Sequence, residues 1–203
     1  MRINHRALTF AGLTLAAVTA AAQADIVHDE AIDGDLSTDP NAPTALAFPV
    51  GTSTVTGSMS APSDTRDYFT FTIGAGQSLT GIFLTDYVDL DFGGNGNRGF
   101  IHIDDGATSV VPSGATAGDF LGGSHLDRAV FPDASINFLD ALAAAPQGGV
   151  GFIAPLGPGT YTINVQQTGP QNTGYTLDFQ VVPAPGAVAT LALGGLAALR
   201  RRR

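Results

Sequence analysis

The chain has 203 residues, which is enough for one well-buried domain with terminal signals but short for two complete domains. It contains no cysteine, which excludes disulfide bonds, a thiolate zinc site and a cysteine nucleophile. Between residues 25 and 178 only three arginines stand against 18 acidic residues, a formal charge of −15, and this argues against a nucleic-acid partner.

Residues 1–24 have the three parts of a secretory signal peptide. Two arginines make the positive start, residues 7–21 are mostly apolar, and Ala22 and Ala24 fit the small-x-small rule for cleavage. We therefore expect cleavage before Asp25 and transport of the rest of the chain across a membrane by the cell's export machinery. An uncleaved leader that stays as a membrane anchor is the alternative, and it places the body outside as well.

The first loop of the body is rich in oxygen ligands. Asp33, Asp35 and Asp39 stand at alternate positions, as an EF-hand loop begins, and hard cations such as Ca²⁺ prefer carboxylate and amide oxygens. The loop departs from the EF-hand at Thr44, where a bidentate Glu belongs. Calcium is the candidate ion for this loop, and turn and capping chemistry by Asp explains the same residues without an ion.

From residue 53 onward, short β-like runs alternate with clusters of Gly, Pro, Asn and Asp, which predicts an all-β antiparallel sandwich or jelly roll. Apolar and polar residues alternate in segments 67–73, 161–166 and 175–180, so one face of each should enter the core. The predicted core residues are Phe69, Phe71, Ile73, Tyr161, Ile163, Val165, Tyr175, Leu177 and Phe179. Further strands are predicted at residues 53–59, 78–85, 99–103 and 149–153.

Two features lie between these strands. A second acidic loop, with Asp89, Asp91 and Asn95, either wraps a calcium ion or turns between strands. Residues 136–145 predict the one short helix, because Ile136, Leu139 and Leu142 stand at helical spacing.

The C-terminus has a membrane-directed pattern. Residues 186–199 are all apolar or small, and as a helix they span roughly 21 Å, which is short of a hydrocarbon core of about 30 Å. The basic residues that follow should stay on the cytoplasmic side. The alternative is a buried core helix with a solvated basic end. The basic residues are Arg200, Arg201, Arg202 and Arg203.

A short motif precedes that apolar run. It consists of Val182, Pro183, Ala184, Pro185 and Gly186. Motif, apolar run and arginine cluster together resemble the PEP-CTERM sorting tail of Gram-negative bacteria. The resemblance implies recognition by an exosortase-type membrane protease and a link with extracellular polysaccharide. Ala184 stands where that family usually has Glu. Because prolines break helices, the motif itself should be extended.

The body also resembles a known domain type. Five short segments occur in the order found in bacterial pre-peptidase C-terminal (PPC-like) domains, which are β-sandwiches of secreted proteins used for binding or presentation. They are residues 33–37, 67–71, 75–79, 157–161 and 174–177. We therefore divide the chain into a signal peptide (1–24), a PPC-like domain (25–181) and a sorting tail (182–203).

No catalytic set is evident. The one local grouping of Ser, His and carboxylate is Ser124, His125 and Asp127, without the Gly-x-Ser-x-Gly motif of a nucleophile elbow. The histidines lack zinc-ligand spacing, and His102 is predicted to point outward from its strand. Aromatic residues that stack on sugars would be Tyr87, Phe92 and Phe120, if they are exposed.

The sequence thus predicts a non-enzymatic, exported β-sandwich, directed to the cell surface or matrix and associated with polysaccharide. Two alternatives stay open. One is a secreted hydrolase with two aspartates converging in a concave pocket, one of them with a raised pKa. The other is a structural envelope protein stabilised by calcium.

Overall fold

The computed structural model describes residues 24–89, 99–110, 119–126, 133–144, 146–169 and 172–184. Within these ranges the chain forms two β-sheets and very little helix, so the all-β prediction is confirmed. The strands are β1 (Asp25–Asp29), β2 (Thr44–Ala45), β3 (Gly51–Met59), β4 (Arg66–Ile73), β5 (Gln77–Asp89), β6 (Gly99–Asp105), β7 (Gly122–Leu126), β8 (Gly159–Gln167) and β9 (Thr173–Pro183). The helices are α1 (Glu30–Asp33), α2 (Phe138–Ala143) and a 3₁₀ turn (Pro146–Gly148).

The sheets are not purely antiparallel. The first has the strand order β1-β3-β9-β5 and the second β2-β4-β8-β6-β7. The edge strands β1 and β2 pair in parallel with β3 and β4, while the other pairs are antiparallel. Each parallel pair is separated along the chain by a strand of the opposite sheet, which supplies the long connection that parallel pairing needs.

The two sheets share one apolar core. Phe69 and Phe71 of β4 meet Phe179 of β9 with ring centroids 5.8 and 5.7 Å apart. All nine predicted core residues are buried. Period-two alternation thus identified the core face of these strands.

Residues 149–153 do not form the predicted strand. Gly148, just before the segment, and Gly151, within it, have φ values of 98° and 80°, which a regular strand does not accommodate. The segment instead bonds to a loop, with Val150 N donating to Phe120 O at 3.0 Å. Its last residue, Ile153, is 91% exposed.

The predicted short helix is present but begins later. The Asn137 side chain accepts a 3.1 Å hydrogen bond from Leu139 N and so caps α2, whose Leu139 and Leu142 are fully buried. Ile136 lies before the cap and is exposed.

Strand β9 continues into the predicted sorting motif. Val182 and Pro183 pair with Ser78 and Gln77 of β5, and Ala184 N donates to Gly76 O at 2.7 Å. On the β3 side pairing stops at Val181, so the missing N–H of proline leaves no gap in the ladder there.

The remaining terminal predictions lie outside the described residues. These are the leader with Ala22, the end of the motif with Pro185 and Gly186, the apolar run, and the arginines 200–203. Neither helix within the described ranges is long and apolar enough to cross a membrane.

Candidate metal centre

Three carboxylates from separate parts of the chain converge at one end of the sandwich. Glu30, Asp35 and Asp67 each offer an oxygen, and the three oxygens lie within 4.8 Å of one another. Glu30 begins α1, which Asp29 caps by accepting a 3.0 Å hydrogen bond from Ala31 N. Gly34, with φ of 91°, ends that helix, and Asp35 follows it directly in the chain.

Asp67 is the buried member of the group. It lies in β4 on the same side as Phe69 and Phe71, and its side chain is 0% exposed. The Tyr175 hydroxyl donates a 2.8 Å hydrogen bond to its Oδ2. Its Oδ1 has no hydrogen-bond partner among the described residues. A buried carboxylate with an unpaired oxygen is costly, and a cation or a proton would relieve that cost.

Glu30 is held in place by backbone groups. Its Oε2 accepts hydrogen bonds from Ser58 N at 2.5 Å and Ser58 Oγ at 3.1 Å, and its Oε1 accepts from Leu36 N at 3.3 Å. Because Ser58 belongs to β3 of the first sheet and Asp67 to β4 of the second, the site bridges the two sheets.

The electrostatics favour an added positive charge. Burial, reinforced by the charge of Glu30, holds the pKa of Asp67 well above its usual value. Burial also raises the pKa of Glu30, and with Asp35 and Glu30 nearby it raises that of Asp64 to about 6. None of the described basic side chains forms an ion pair with these four acids.

The geometry suits one hard cation. Ca²⁺ binds oxygens at roughly 2.3–2.6 Å, so two of its ligands are at most about 5 Å apart, which matches the 4.8 Å limit here. The ligand set contains carboxylates only, which favours Ca²⁺ or Mg²⁺ over zinc or copper. Since Ca²⁺ takes six to eight oxygens, water or backbone oxygens would complete the shell.

The site draws on one of the six predicted metal ligands. Asp35 belongs to it, whereas Asp33 accepts a 2.9 Å hydrogen bond from Asp29 N and Asp39 accepts one of 2.9 Å from Asn41 N. The side chain of Asp89 and residues Asp91 and Asn95 lie outside the described part of the chain.

Sequence reasoning missed Glu30 and Asp67. A signal was present for Asp67, because its position has the same parity as Phe69, Phe71 and Ile73 and so faces the core. Only a functional or paired carboxylate is expected there. Glu30 carried no comparable signal, because its proximity to Asp67 depends on how β1 pairs with β3.

A separate polar group lies on the outer face of the second sheet. His102 Nε2 is 2.9 Å from Ser109 Oγ and 3.0 Å from Asp104 Oδ2, and Ser109 Oγ donates to the same Asp104 oxygen at 2.5 Å. In a serine hydrolase the carboxylate binds Nδ1, which leaves Nε2 to accept the serine proton. Here Nδ1 has no partner within the described residues, so the wiring differs from a catalytic triad.

The outward position predicted for His102 does not make it a surface residue. Its side chain leaves the sheet on the outer face but is completely buried, because Phe120 stacks on the ring at 5.1 Å and Ser109 covers its edge. The other candidate set is not assembled as a triad in the described chain: Ser124 Oγ donates to the backbone oxygen of His125 at 3.4 Å, and Asp127 lies outside that part.

Two of the three candidate sugar platforms are not surface rings. Tyr87 and Phe120 are buried, and Phe92 lies outside the described residues. An apolar groove of about 620 Å³ runs along β2 and β4, with Leu46, Phe48 and Phe71 in its wall and Asp25 as its acidic residue. Its lining contains none of the three carboxylates of the candidate metal centre. The hydrolase alternative expected two converging aspartates inside a concave pocket, and this groove does not contain such a pair.

No protein-family model matches the chain, and no curated protein sequence matches it. The resemblances to PEP-CTERM tails and PPC-like domains therefore stay predictions that rest on the residues quoted above.

Proposed function

We propose that the protein is an exported, non-catalytic β-sandwich that is tethered to a membrane by its C-terminus and stabilised by a calcium ion. The observation that carries the proposal is the fully buried Asp67, whose carboxylate lies beside those of Glu30 and Asp35 and whose Oδ1 has no hydrogen-bond partner among the described residues. Three acids held together without a basic partner among the described side chains make a site that is repulsive when empty and attractive to a divalent cation.

The ion has a structural task in this proposal. Glu30 is hydrogen-bonded to the first sheet and Asp67 belongs to the second, so an ion bound to both cross-links the sandwich. Sites with few protein ligands in extracellular modules bind calcium with dissociation constants of roughly 10⁻⁴–10⁻³ M. Such a site fills outside the cell and empties at cytosolic calcium levels.

Export and tethering rest on the ends of the chain. The leader, the apolar run 186–199 and the arginines after it support a body outside the membrane with the basic end inside. We propose that the tail tethers the protein until an exosortase-type protease processes it, and that the sandwich has the PPC-like fold. The non-catalytic part of the proposal is supported by the wiring of His102, Ser109 and Asp104.

Thermal unfolding with and without calcium tests the cation. With a dissociation constant near 10⁻⁴ M, about 10 mM Ca²⁺ should stabilise the fold by about 2.7 kcal/mol relative to chelator, a rise in Tm of roughly 5–10 °C. Asp67→Asn should abolish the rise, because it removes a ligand charge while keeping an acceptor for Tyr175. Asp105→Asn, an exposed acid at the end of β6, is the matched control and should keep the full rise. Equal Tm values in calcium and chelator would refute the proposal.

A further inference from the structure

The two ends of the sandwich differ in charge. The tail pole, defined as residues 46–50, 74–76, 153–158 and 182–184, contains no charged residue itself, and two exposed acids lie beside it, Asp25 at the start of β1 and Asp105 at the end of β6. The acidic pole, defined as residues 29–36 and 60–67, contains six acids and one arginine. Exposed apolar side chains occur at both ends, so charge is what distinguishes them.

Strand pairing fixes this assignment. Gln77 pairs with Pro183 and Ile73 with Gly159, which brings the tail-pole segments to one end. Met59 pairs with Thr173 at the other end. Tyr175, which contacts Asp67, lies nine residues before Ala184 along β9, a separation of about 30 Å at roughly 3.4 Å per residue.

The chain leaves the sandwich at the tail pole without a spacer. Ala184 N is bonded to Gly76 O at 2.7 Å, and only Pro185 separates Ala184 from the apolar run 186–199. A membrane segment beginning there holds the pole within a few ångström of the bilayer surface. Around the exit, Val50 is 50% exposed and Ile153 is 91% exposed.

We infer that the tail pole is a lipid-contacting surface, which rests against the bilayer while the acidic pole points away from it. The inference rests on the proposed tethering by the tail. Uncharged apolar side chains enter the headgroup region at little cost. An anionic leaflet repels the acidic pole, which at about 30 Å stands several Debye lengths from the surface. The groove with Leu46 and Phe48 in its wall adds apolar area at this pole.

Single-cysteine fluorescence tests the orientation, because the chain has no cysteine of its own. Full-length Val50→Cys and Ile153→Cys would be labelled with an environment-sensitive dye and reconstituted into phosphatidylethanolamine and phosphatidylglycerol vesicles. Ile32→Cys is the matched control, since Ile32 is 79% exposed on α1 at the acidic pole. Brominated lipids should quench the dyes at positions 50 and 153 several-fold more than the dye at position 32.

Two negative results have different meanings. If the chain floats with the vesicles but quenching is equal at all three positions, the lipid-contacting pole is wrong while the tethering stands. If the chain does not float, the tethering fails and the inference fails with it. All three positions are exposed, so labelling should leave the fold intact, and circular dichroism of each variant checks this.

Discussion

The Tyr175 hydroxyl on β9 donates a 2.8 Å hydrogen bond to the Asp67 carboxylate on β4, which joins the two sheets through a fully buried polar contact. This contact satisfies one oxygen of Asp67 and leaves the other without a hydrogen-bond partner among the described residues. The Tyr175 hydroxyl therefore fixes the orientation of the buried Asp67 carboxylate, which is one of the three candidate metal ligands.

Removing that hydroxyl should destabilise the protein. Tyr175→Phe leaves Asp67 Oδ2 buried without its donor, which costs about 1–3 kcal/mol. Urea unfolding in chelator measures this. Tyr161→Phe is the control, because the Tyr161 hydroxyl bonds to Gly157 O at the far end and at 3.1 Å; it should cost less. Equal losses in the two variants would show that the contact with Asp67 has no special weight.

Replacement of Gly57, which pairs with Tyr175 from β3, should disturb the contact between Tyr175 and Asp67. A Cβ at position 57 would overlap the Tyr175 ring and hydroxyl, and the ring is packed too tightly to withdraw freely. We expect Gly57→Ala to lower stability by about 1–3 kcal/mol and to weaken calcium binding. Calorimetry of both properties checks this. If the variant binds calcium as tightly as the wild type, then the position of the Tyr175 ring does not affect the calcium site.

The pH dependence of the metal-free protein follows from the raised pKa values. Folding raises the pKa of Asp64 to about 6 and those of Glu30 and Asp67 above their usual values, so the folded state holds more protons than the unfolded state. The stability that Asp64 contributes is complete below about pH 4 and is lost as the pH rises through about 6, and the contributions of Glu30 and Asp67 are lost as the pH rises through their own raised pKa values.

The measurement is the stability difference between the wild type and Asp67→Asn in chelator. Because the variant has no carboxylate to bury, its stability should rise relative to that of the wild type as the pH rises above about 4, the ordinary pKa of an aspartate. Calcium competes with protons for the same oxygens, so its stabilising effect on the wild type should grow over the same range. A difference that stays constant with pH would mean that the pKa of Asp67 is the same in the folded and the unfolded state.

Terbium should report the site through tyrosine. Tb³⁺ occupies calcium sites and luminesces when an excited aromatic ring is close, and the chain has four tyrosines and no tryptophan. The Tyr175 ring is bonded to a ligand carboxylate, so it should be the main donor. Tyr175→Phe should remove most of the sensitised emission, and Tyr161→Phe should retain it. Full emission from Tyr175→Phe would locate the ion elsewhere.

Alternation along the chain was enough to predict the core faces of β4, β8 and β9, because a half-buried strand imposes a period of two. It did not predict β1 or β2, which pair in parallel at sheet edges and depend on partners distant in sequence. It also did not reveal that His102 is covered, because the covering comes from Ser109 and Phe120 and not from the strand itself.

The candidate metal centre was likewise only partly predictable from the sequence. Asp35 was identified from its place in an oxygen-rich loop, and Asp67 had the parity of a core residue. Their meeting with Glu30 depends on the pairing of β1 with β3 and on the packing of the two sheets. Local sequence patterns predict neither that strand pairing nor that packing of the sheets.

Crystallography with a bound ion tests the cation site most directly. Crystals grown with Tb³⁺ in place of Ca²⁺ should give an anomalous difference peak between the carboxylates of Glu30, Asp35 and Asp67, within about 2.6 Å of an oxygen from each. The same map from Asp67→Asn should lack the peak. A wild-type map without density there, or with the peak at another acidic loop, would contradict a cation bridge between the two sheets.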